Sequence, residues 1–470
     1  MRTLRSLGRK SRYHTASFLM PMSDDLIRRY AKPVPRYTSY PTAPHFHAGV
    51  SNATYLGWLK ELPASTPLSL YLHVPFCDRL CWFCGCHTKQ VLRYDPIATY
   101  LGGLHREIET VAAALDGRGH VKALHLGGGS PSMLKPEDLL AITTKVRTLF
   151  VSADDLEFSI EIDPNDMTEA RFDAFAAAGV TRISVGVQDF DAQVQTAINR
   201  IQSFEDTKAV VDGMRARGVT SVNLDVLYGL PHQTLETLER TVDLALSMRP
   251  DRIALFGYAH VPWMKTHQKM INETALPGVI ERYQQSQVAA RRIVAAGYQA
   301  IGIDHFALPE DALAIAAREG KLHRNFQGYT TDRAPALIGL GASAISGLPQ
   351  GYVQNITATG EYLRTVADKG IAVARGFAFD DEDRLRGWVI ERLMCDFAVP
   401  VDELTERFGV AAAPVLQEMR YSAMLDGDDL VNFDGARFTV TERGKAFVRS
   451  IASAFDTYLS GGAGRHSVAV

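Results

Sequence analysis

The stretch Tyr71-Leu-His-Val-Pro-Phe-Cys77-Asp-Arg-Leu-Cys81-Trp-Phe-Cys84-Gly-Cys86 contains four of the five cysteines in this chain of 470 residues. The apolar residues 68–75 predict a strand that runs into a tight loop. Three thiolates spaced C-x3-C-x2-C suit a cuboidal iron–sulfur cluster, because each thiolate can bind one iron and the fourth iron stays open. An open metal position usually serves chemistry. We therefore expect Cys77, Cys81 and Cys84 to bind a reactive cluster.

The clustered cysteines also have other interpretations. Cys86 offers a fourth ligand, but side chains at i and i+2 point the same way only in a straightened loop. A zinc knuckle would need a second Cys/His pair at finger spacing, and no such pair follows in the sequence. A disulfide framework is disfavoured because only Cys395 lies elsewhere, which is typical of a protein from a reducing compartment.

The composition is that of an ordinary globular protein, with 46% hydrophobic and 22% charged residues, and its length suits two or three domains. A formal net charge of −3 argues against nucleic acid as the main partner. The sequence has no apolar run of transmembrane length. Residues 1–22 carry five basic residues and no acidic one. They suit a transit-like or membrane-surface segment. We favour the other interpretation, an unstructured extension or a start codon assigned too early. We therefore expect a cytoplasmic protein.

Strands and helices alternate after an N-terminal arm at residues 23–66, which contains a short predicted helix at 24–30. The predicted strands are residues 68–76, 122–127, 157–163, 182–187, 221–228 and 252–258, and predicted helices include 136–150, 169–178 and 235–248. Such alternation predicts parallel βαβ units. Gly179, Gly218 and Gly297 each look like a helix C-cap that leads into a strand. At least six units fit before residue 310, so we expect an α/β fold with a (β/α) barrel over 67–350.

The pattern changes after about residue 375, where a C-terminal, mainly helical domain is expected over 375–460. The predicted helices are 380–395, 400–408, 412–423 and 442–459, with a hairpin formed by 430–433 and 437–440. Three of these helices together with the hairpin resemble a winged helix. No basic stripe marks residues 412–423, so a lid or packing role is favoured over DNA binding. The tail 461–470 is expected to be disordered.

The C-x3-C-x2-C motif after a strand is the mark of the radical S-adenosylmethionine (SAM) enzymes. With Tyr71, His73, Phe83 and Cys86 added, the string resembles one branch, the oxygen-independent coproporphyrinogen III oxidases. The resemblance extends from about residue 28 to the C-terminus and favours a partial (β/α)6 barrel over a closed barrel of eight units. It includes the segments Arg36-Tyr-Thr-Ser-Tyr-Pro-Thr-Ala43, Gly127-Gly-Gly-Ser-Pro131, Glu161-Ile-Asp-Pro164, Gly186-Val-Gln-Asp189, Asn325-Phe-Gln-Gly-Tyr-Thr-Thr331 and Gly339-Leu-Gly-Ala-Ser-Ala-Ile-Ser346.

The resemblance implies a [4Fe–4S] cluster and two SAM molecules per active site. It assigns the first SAM to Tyr71, Gly128, Glu161, Ala259 and Ile345. It assigns the second SAM to Phe83, Gly129, Ser130, Gln188, Arg200 and Asp225. His73, Cys86 and Gln327 are the implied catalytic residues. The chain departs from the family pattern at Ser130, where Thr is usual, and at Trp82, where Tyr is usual.

Some of these residues also have plain structural explanations. A glycine-rich turn after a strand is common. Glu161 at a strand end suits a helix cap, although Asp163 suits that role as well. A buried Asp225 is costly without a partner, and an ion pair with Arg200 on the following helix would satisfy it. His73 suits a strand histidine bonded to the backbone.

The implied activity is oxidative decarboxylation of two propionates of coproporphyrinogen III to vinyl groups, which yields protoporphyrinogen IX. A low-potential electron donor such as flavodoxin or ferredoxin would reduce the cluster, SAM would yield a 5′-deoxyadenosyl radical, and the radical would remove a hydrogen from the propionate β-carbon. A monomer is expected. Arg36, Lys32 and Arg324 are candidates to bind the anionic substrate, since guanidinium binds carboxylate bidentately.

Two other functions share the superfamily. A haem-binding chaperone would bind haem without turning over porphyrinogen, but that branch lacks Cys86, Gln327 and the segment of residues 36–43. A haem-degrading radical SAM methyltransferase would use the same cofactors, and the segment of residues 325–331 argues against it. The sequence therefore favours the oxidase.

Overall fold

The computed structural model describes residues 22–459. The predictions for an extension at 1–22, apart from Met22, and for the tail at 461–470 lie outside the described residues. The strands are β1 (Pro67–Val74), β2 (Phe76–Cys77), β3 (Lys89–Gln90), β4 (His120–Gly128), β5 (Ser152–Ile162), β6 (Arg182–Gln188), β7 (Ser221–Tyr228), β8 (Arg252–Gly257), β9 (Gln299–Ile301), β10 (His305–Ala307), β11 (His323–Asn325), β12 (Gly328–Thr330), β13 (Ala336–Leu340), β14 (Ile345–Leu348), β15 (Gly351–Asn355), β16 (Val373–Ala378), β17 (Ala398–Pro400), β18 (Val431–Phe433) and β19 (Arg437–Val440).

The α-helices are α1 (Asp24–Tyr30), α2 (Asn52–Glu61), α3 (Asp95–Leu115), α4 (Pro136–Leu149), α5 (Glu169–Ala178), α6 (Ala192–Ala197), α7 (Phe204–Arg215), α8 (Leu235–Ser247), α9 (Val279–Ala295), α10 (Ala312–Arg318), α11 (Thr359–Lys369), α12 (Asp381–Asp396), α13 (Val401–Phe408), α14 (Ala413–Leu425) and α15 (Val448–Ala452). The helix predicted at residues 24–30 is confirmed, and Ser23 caps it by accepting a hydrogen bond from the Leu26 N–H.

One twelve-stranded sheet forms the body of the protein. Six strands, β1 and β4 to β8, lie side by side in chain order and pair in parallel. On the other side of β1, β13 also pairs in parallel, and antiparallel strands extend both ends. The strand order begins at β16 and ends at β9. The predicted α/β fold with a partial barrel of six units is confirmed.

The predicted strands and helix ends follow from local sequence. Each predicted strand overlaps one observed parallel strand, and the prediction for 221–228 matches β7. The three glycines expected at helix ends adopt left-handed φ angles, 81° at Gly179, 89° at Gly218 and 98° at Gly297. A residue with a Cβ would be strained there, so glycine permits the turn from each helix into the next strand.

The barrel core lies between the parallel strands and the helices that cover them. Leu126 of β4, Ile160 of β5 and Ile183 of β6 are fully buried, and so are Ile142 of α4 and Phe175 of α5. Each βα unit therefore contributes one strand and one helix face to a continuous apolar layer. This layer leaves the carboxyl ends of the strands free to carry functional loops.

The C-terminal part has a hydrophobic core of its own. Its helix α12 packs with α14, α15 and a small sheet in the order β17-β19-β18, and the predicted hairpin is part of that sheet. Tyr37 and Tyr40 of the N-terminal arm are buried in the same core. The boundaries at 67–350 and 375–460 stay predictions. None of the helices within residues 22–459 has the length and apolar character that crossing a membrane requires.

The helix predicted for residues 442–459 is wrong. The chain there forms a 3-10 turn at Lys445–Phe447, then α15, then a second 3-10 turn at Ser453–Phe455. The Ser453 hydroxyl donates to the Ser450 carbonyl (2.7 Å), and the Ser450 hydroxyl donates to the Tyr30 carbonyl (2.9 Å). Hydroxyls that bond nearby carbonyls compete with regular helix, and the contact with α1 bends the chain.

Candidate active site

The cysteine loop begins where β1 ends. Cys77 lies in β2, which pairs with β3, and the Val91 N–H donates to the Cys77 carbonyl (2.9 Å). Cys77, Cys81 and Cys84 are half-buried free thiols, whereas Cys86 is exposed. The pairing of β2 with β3 brings the two ends of the loop together. The three thiols therefore lie at the carboxyl edge of the sheet.

Side chains from distant loops hold the cysteine loop by its backbone carbonyls. Asn199 donates to the Leu80 carbonyl (2.9 Å). From the segment after β8, Gln268 donates to the Phe83 carbonyl (2.9 Å). In the same segment, His267 donates to the Cys84 carbonyl (2.8 Å) and Lys265 to the Cys86 carbonyl (2.9 Å). Sequence reasoning missed these four residues, because no local pattern links them to the cysteines.

The three thiols lie close enough to affect one another's pKa. Burial raises the pKa of Cys77, and the neighbouring Cys84 and Cys81 raise it further. Burial also raises the pKa of Cys81, and Arg200, whose Nη1 lies 3.6 Å from the Cys81 Sγ, opposes that rise without cancelling it. A set of three neighbouring thiols with a guanidinium beside them fits a [4Fe–4S] cluster. Within residues 22–459, no group of three or more His, Cys, Asp or Glu side chains is placed to hold a single metal ion.

The glycine-rich end of β4 presses against the cysteine loop. The Gly129 N–H donates to the Val74 carbonyl (2.8 Å), and the Ser130 N–H donates to the Phe76 carbonyl (2.7 Å). A Cβ on Gly129 would lie 2.5 Å from the Phe76 carbonyl oxygen. Glycine is therefore required for this approach, and Gly128 and Gly129 belong to the same edge as the thiols.

Ser130 is buried and its hydroxyl is engaged within the protein. It donates to the carboxylate of Asp166 and lies 2.9 Å from the Ser132 Oγ. Burial is the main cause that raises the pKa of Asp166 to about 6. The predicted contact of Ser130 with SAM would therefore have to share this hydroxyl with Asp166.

Glu161, near the end of β5, faces the glycine segment. Its Oε2 accepts from the Gly128 N–H (2.9 Å) and its Oε1 lies 3.3 Å from the His125 Nε2. Burial alone would raise the pKa of Glu161, but the hydrogen bonds and the charge of His125 outweigh burial and lower it. The Glu161 carboxylate is thus kept ionised. Glu161 does not cap the following 3-10 turn, because Asp163 does so by accepting from the Asn165 N–H (3.1 Å).

His73 bonds through both ring nitrogens. Its Nε2 lies 3.0 Å from the His87 carbonyl, which can only accept, so Nε2 carries the proton and Nδ1 accepts from the Tyr71 hydroxyl (2.8 Å). Burial lowers the pKa of His73 to about 4, so the ring is neutral. This arrangement matches the alternative of a strand histidine bonded to the backbone.

Arg200 and Asp225 do not pair with each other. The placement of Arg200 on a helix is wrong, since α6 ends at Ala197 and Asn199 turns the chain with a φ of 54°. Arg200 Nη1 instead donates to Asp163 (2.9 Å), and both side chains are 9% exposed. Asp225 accepts from Ser184 (3.0 Å) and from Asn223 (2.8 Å). Burial, followed by the charge of Glu161, raises the pKa of Asp225.

Three more of the predicted residues lie at the same edge, and a fourth lies in a separate two-stranded sheet. Gln188 ends β6 with a left-handed φ of 63°, a strained conformation of the kind that clusters at functional sites. Ala259 follows β8, and its carbonyl accepts from Gln268 (3.1 Å). Ile345 begins β14. Gln327 is exposed in the turn between β11 and β12.

The three candidates for substrate binding separate into two groups. Arg36 and Arg324 line one cavity, and the Arg324 Nη2 donates to the Arg36 carbonyl (3.4 Å). Lys32 is exposed and is not among the described residues that line this cavity. The structure thus brings two of the three together.

Comparison with known proteins matches this architecture. The model of the radical SAM superfamily matches residues 71–245, and the model of the HemN C-terminal domain matches residues 379–447. The partial barrel with its three-thiol loop defines a radical SAM enzyme, a class whose members use a [4Fe–4S] cluster and SAM.

Two relatives and one solved structure show which family of radical SAM enzymes this chain resembles. The oxygen-independent coproporphyrinogen III oxidase of Bradyrhizobium diazoefficiens is 46% identical over 450 residues, which are 96% of this chain and 100% of the relative. That of Pseudomonas aeruginosa is 40% identical over 93% of this chain and 95% of the relative. The structure of the coproporphyrinogen III oxidase HemN from Escherichia coli covers 91% of this chain and 100% of its own, with 37% identity and a TM-score of 0.86. The chain belongs to the family of oxygen-independent coproporphyrinogen III oxidases.

Proposed function

We propose that this protein converts coproporphyrinogen III to protoporphyrinogen IX in haem biosynthesis, by oxidative decarboxylation of two propionates to vinyl groups without oxygen. The observation that carries the proposal is the match along 96% of the chain to a relative of that name. The three-thiol loop at the mouth of a partial barrel supports it.

The cofactors supply the difficult chemistry and the protein orients them. Cys77, Cys81 and Cys84 would hold the [4Fe–4S] cluster. Bound together, the cluster and SAM supply a carbon radical that can take a hydrogen atom from an unactivated carbon. The protein's part is to fix the loop, which the carbonyl contacts from Gln268 and His267 do.

For the first SAM we propose Tyr71, Gly128, Glu161, Ala259 and Ile345. The ionised Glu161 offers an acceptor to a cationic ligand, because His125 and the Gly128 N–H keep its carboxylate charged. The glycines of β4 bring backbone groups close to any ligand beside the cysteine loop.

For a second SAM we propose Phe83, Gly129, Ser130, Gln188, Arg200 and Asp225. Two propionates react, and each needs its own oxidation, which supports two SAM molecules. Arg200 donates to the Gly186 carbonyl of β6 (2.9 Å), and Asp225 lies in β7 opposite Gly186, so the two residues are on the β6–β7 side of the sheet. Binding of radiolabelled SAM at equilibrium tests this stoichiometry, and a Gln188→Ala variant that binds as much SAM as the wild type would argue against the assignment.

For catalytic roles we propose His73, Cys86 and Gln327. The neutral His73 holds its proton on Nε2, so it positions Tyr71 and the His87 carbonyl rather than carrying positive charge. Cys86 is exposed beside Cys84, and its N–H donates to the Cys84 Sγ (3.3 Å). Gln327 lies in an exposed turn suited to contact the substrate.

We also propose a low-potential electron donor such as flavodoxin or ferredoxin, and a monomeric protein in the cytoplasm. The segment that holds the cysteine loop exposes Met264 and Lys269 at the surface and leaves Lys265 half-buried, which suits an acidic redox partner. The near confinement of cysteine to one loop supports a reducing compartment.

An anaerobic turnover tests the proposed function. The iron-reconstituted protein would receive SAM, a low-potential reductant, coproporphyrinogen III and a cell extract as electron acceptor, beside a Cys81→Ser control. Mass spectrometry should detect protoporphyrinogen IX with about two 5′-deoxyadenosines per porphyrin, and neither in the control. Deoxyadenosine without decarboxylated porphyrin would move the substrate to another branch, and a tight haem complex without either product would favour the chaperone.

A further inference from the structure

Glu107 of α3 is a buried carboxylate that takes no part in the contacts around the thiols. It is 1% exposed. It accepts hydrogen bonds from three neutral groups, the Gly341 N–H (2.7 Å), the Asn355 amide (2.7 Å) and the Tyr362 hydroxyl (2.7 Å). Burial raises the pKa of Glu107, and the three hydrogen bonds oppose that rise. A buried carboxylate is costly unless hydrogen bonds compensate it, and here neutral donors supply them.

The hydrogen bonds of Glu107 converge on the turn that joins β13 to β14, residues 341–344. Asn355, at the end of β15, donates to Glu107 and also to the Gly341 carbonyl (2.9 Å). A Cβ on Gly341 would lie 2.6 Å from the His73 carbonyl oxygen. The turn therefore packs closely against the end of β1, just before the cysteine loop.

A second residue of α3 ties this turn to β1. The Tyr100 hydroxyl donates to the His73 carbonyl (2.7 Å) and accepts from the Ala342 N–H (2.9 Å). Tyr100 and Glu107 are seven positions apart, so they lie on the same face of the helix. Within the turn, Ser343 adopts a left-handed φ of 67°, a conformation that persists only where the surroundings hold it. One face of α3 thus fixes the turn against the strand.

The turn lies beside two residues that we propose for the first SAM. Gly339 of β13 is paired with Tyr71 of β1. A Cβ on Gly339 would lie 2.5 Å from the Ile345 carbonyl oxygen at the start of β14. Tyr71 and Ile345 are therefore both neighbours of Gly339, and the turn held by Glu107 leads directly into Ile345. A shift of the turn would move Ile345 relative to Tyr71.

We propose that Glu107 is a positioning residue for the first SAM. It acts through the Gly341 N–H and the turn that leads into Ile345, rather than by contact with the ligand. The inference rests on the proposed assignment of Tyr71 and Ile345 to that SAM. Contact residues that are held in place before binding need not be ordered by the ligand, so the affinity for SAM should depend on Glu107.

A carboxylate suits this position better than an amide. Both oxygens of Glu107 accept, whereas a glutamine would direct its NH₂ group at one of the three donors. If that donor is Asn355, its amide must rotate and then loses its bond to the Gly341 carbonyl. At least one hydrogen bond that holds the turn is lost, which corresponds to about a 3- to 10-fold change in an equilibrium constant.

Four variants of the iron-reconstituted protein test the role. Glu107→Gln and Tyr362→Phe each weaken the contacts that hold the turn. Glu109→Gln removes an exposed carboxylate from the same helix. Asp311→Asn disrupts a buried ion pair with Arg252 (2.8 Å), which begins β8 at the opposite end of the strands from the cysteine loop. Iron content and circular dichroism would confirm that each variant is folded and loaded.

The Kd of the SAM at the cluster would be measured anaerobically, from the change that SAM causes in the electron paramagnetic resonance spectrum of the reduced cluster. We expect Glu107→Gln to raise this Kd about 3- to 10-fold and Tyr362→Phe about 2- to 5-fold. Glu109→Gln should match the wild type. Asp311→Asn should unfold at a lower urea concentration but keep the wild-type Kd.

Two results would overturn the positioning role. One is an unchanged Kd in both Glu107→Gln and Tyr362→Phe. The other is an equal rise of the Kd in Asp311→Asn, which would show that any loss of a buried carboxylate weakens SAM binding. A wild type that binds SAM but forms no protoporphyrinogen IX would overturn the proposed function alone, because the comparison of SAM affinities does not depend on the substrate.

Discussion

The two sides of the barrel mouth are built in opposite ways. On the side of β1, β4 and β5, the backbone that leads into the cysteine loop packs against Gly129 and Ser130, and these contacts lie within sequence motifs. On the side of β7 and β8, arginines from positions as distant as 36 and 449 meet in one cavity. The first side carries the three thiols, and the second gathers buried arginines from distant parts of the chain.

The two sides also differ in how closely their buried arginines are paired with carboxylates. Arg200, beside the thiols, has a buried carboxylate partner in Asp163 at 2.9 Å. Arg324, in the cavity, has its nearest carboxylate oxygen at 3.9 Å. A closely paired buried charge costs more to disrupt than one whose partner lies further away. The variants below test the two sides separately, because each variant should lose iron, activity or stability to a different extent.

The largest effect is expected from Cys81→Ser. Loss of one of three thiolates should remove the cluster and abolish 5′-deoxyadenosine formation, while Cys395→Ser, at a buried cysteine of α12, should keep both. Iron content and deoxyadenosine formation measure the outcome. Wild-type iron content in Cys81→Ser would contradict the ligand assignment. Cys86→Ser should also keep its iron, and loss of iron there would make Cys86 the fourth ligand.

Gly129→Ala tests how tightly the first side is packed. The new Cβ would lie 2.5 Å from the Phe76 carbonyl oxygen, so the cysteine loop must shift. Displacement of a reacting group costs about 100-fold in rate, and we expect at least that loss in deoxyadenosine formation. Gly102→Ala, in α3 with open space around it, is the control and should keep full activity. Equal rates for both variants would show that the glycine contact is dispensable.

Arg200→Gln and Arg324→Gln should differ in stability. The first leaves Asp163 buried and unpaired, which should lower the free energy of unfolding by about 3–5 kcal/mol. The second breaks only a 3.9 Å contact and leaves Asp304 paired with His305 at 2.7 Å, so it should lower the free energy of unfolding by less, about 1 kcal/mol. Urea unfolding of the metal-free proteins measures both. Similar losses would mean that Arg324 is as structural as Arg200.

A pH dependence is expected on the thiol side through His73. Its folded pKa of about 4 lies below the value of 6.5 for a free histidine, so the fold favours the neutral ring. That contribution is complete above pH 6.5 and is lost as the pH falls towards 4, by up to about 3 kcal/mol. Glu161, His87 and Lys265 also face this ring. The difference in unfolding free energy between wild type and His73→Gln should shrink over this range, and a constant difference would refute the prediction.

The sequence predicted the parts of the molecule that depend on neighbouring residues. The alternating runs located the six parallel strands, and Gly179, Gly218 and Gly297 located three helix ends, because strand periodicity and left-handed caps are local properties. The cysteine loop and its glycine partner were identified from their motifs for the same reason.

The rest depends on contacts between distant residues. The anchors of the cysteine loop at Lys265 and His267 lie about 180 positions from the cysteines that they hold. Arg200 pairs with Asp163 and not with Asp225, the partner considered as a structural alternative, since which acid faces an arginine is decided by loop geometry. The break in the last helix arose from its contact with α1.

The most direct test of the whole account is the fate of one hydrogen atom. Coproporphyrinogen III carrying deuterium at the propionate β-carbons would be turned over anaerobically, and the 5′-deoxyadenosine would be analysed by mass spectrometry. The account predicts deuterium in the deoxyadenosine, together with vinyl product. Unlabelled deoxyadenosine formed beside labelled, unreacted substrate would contradict it, because the radical would then act on something other than the propionate.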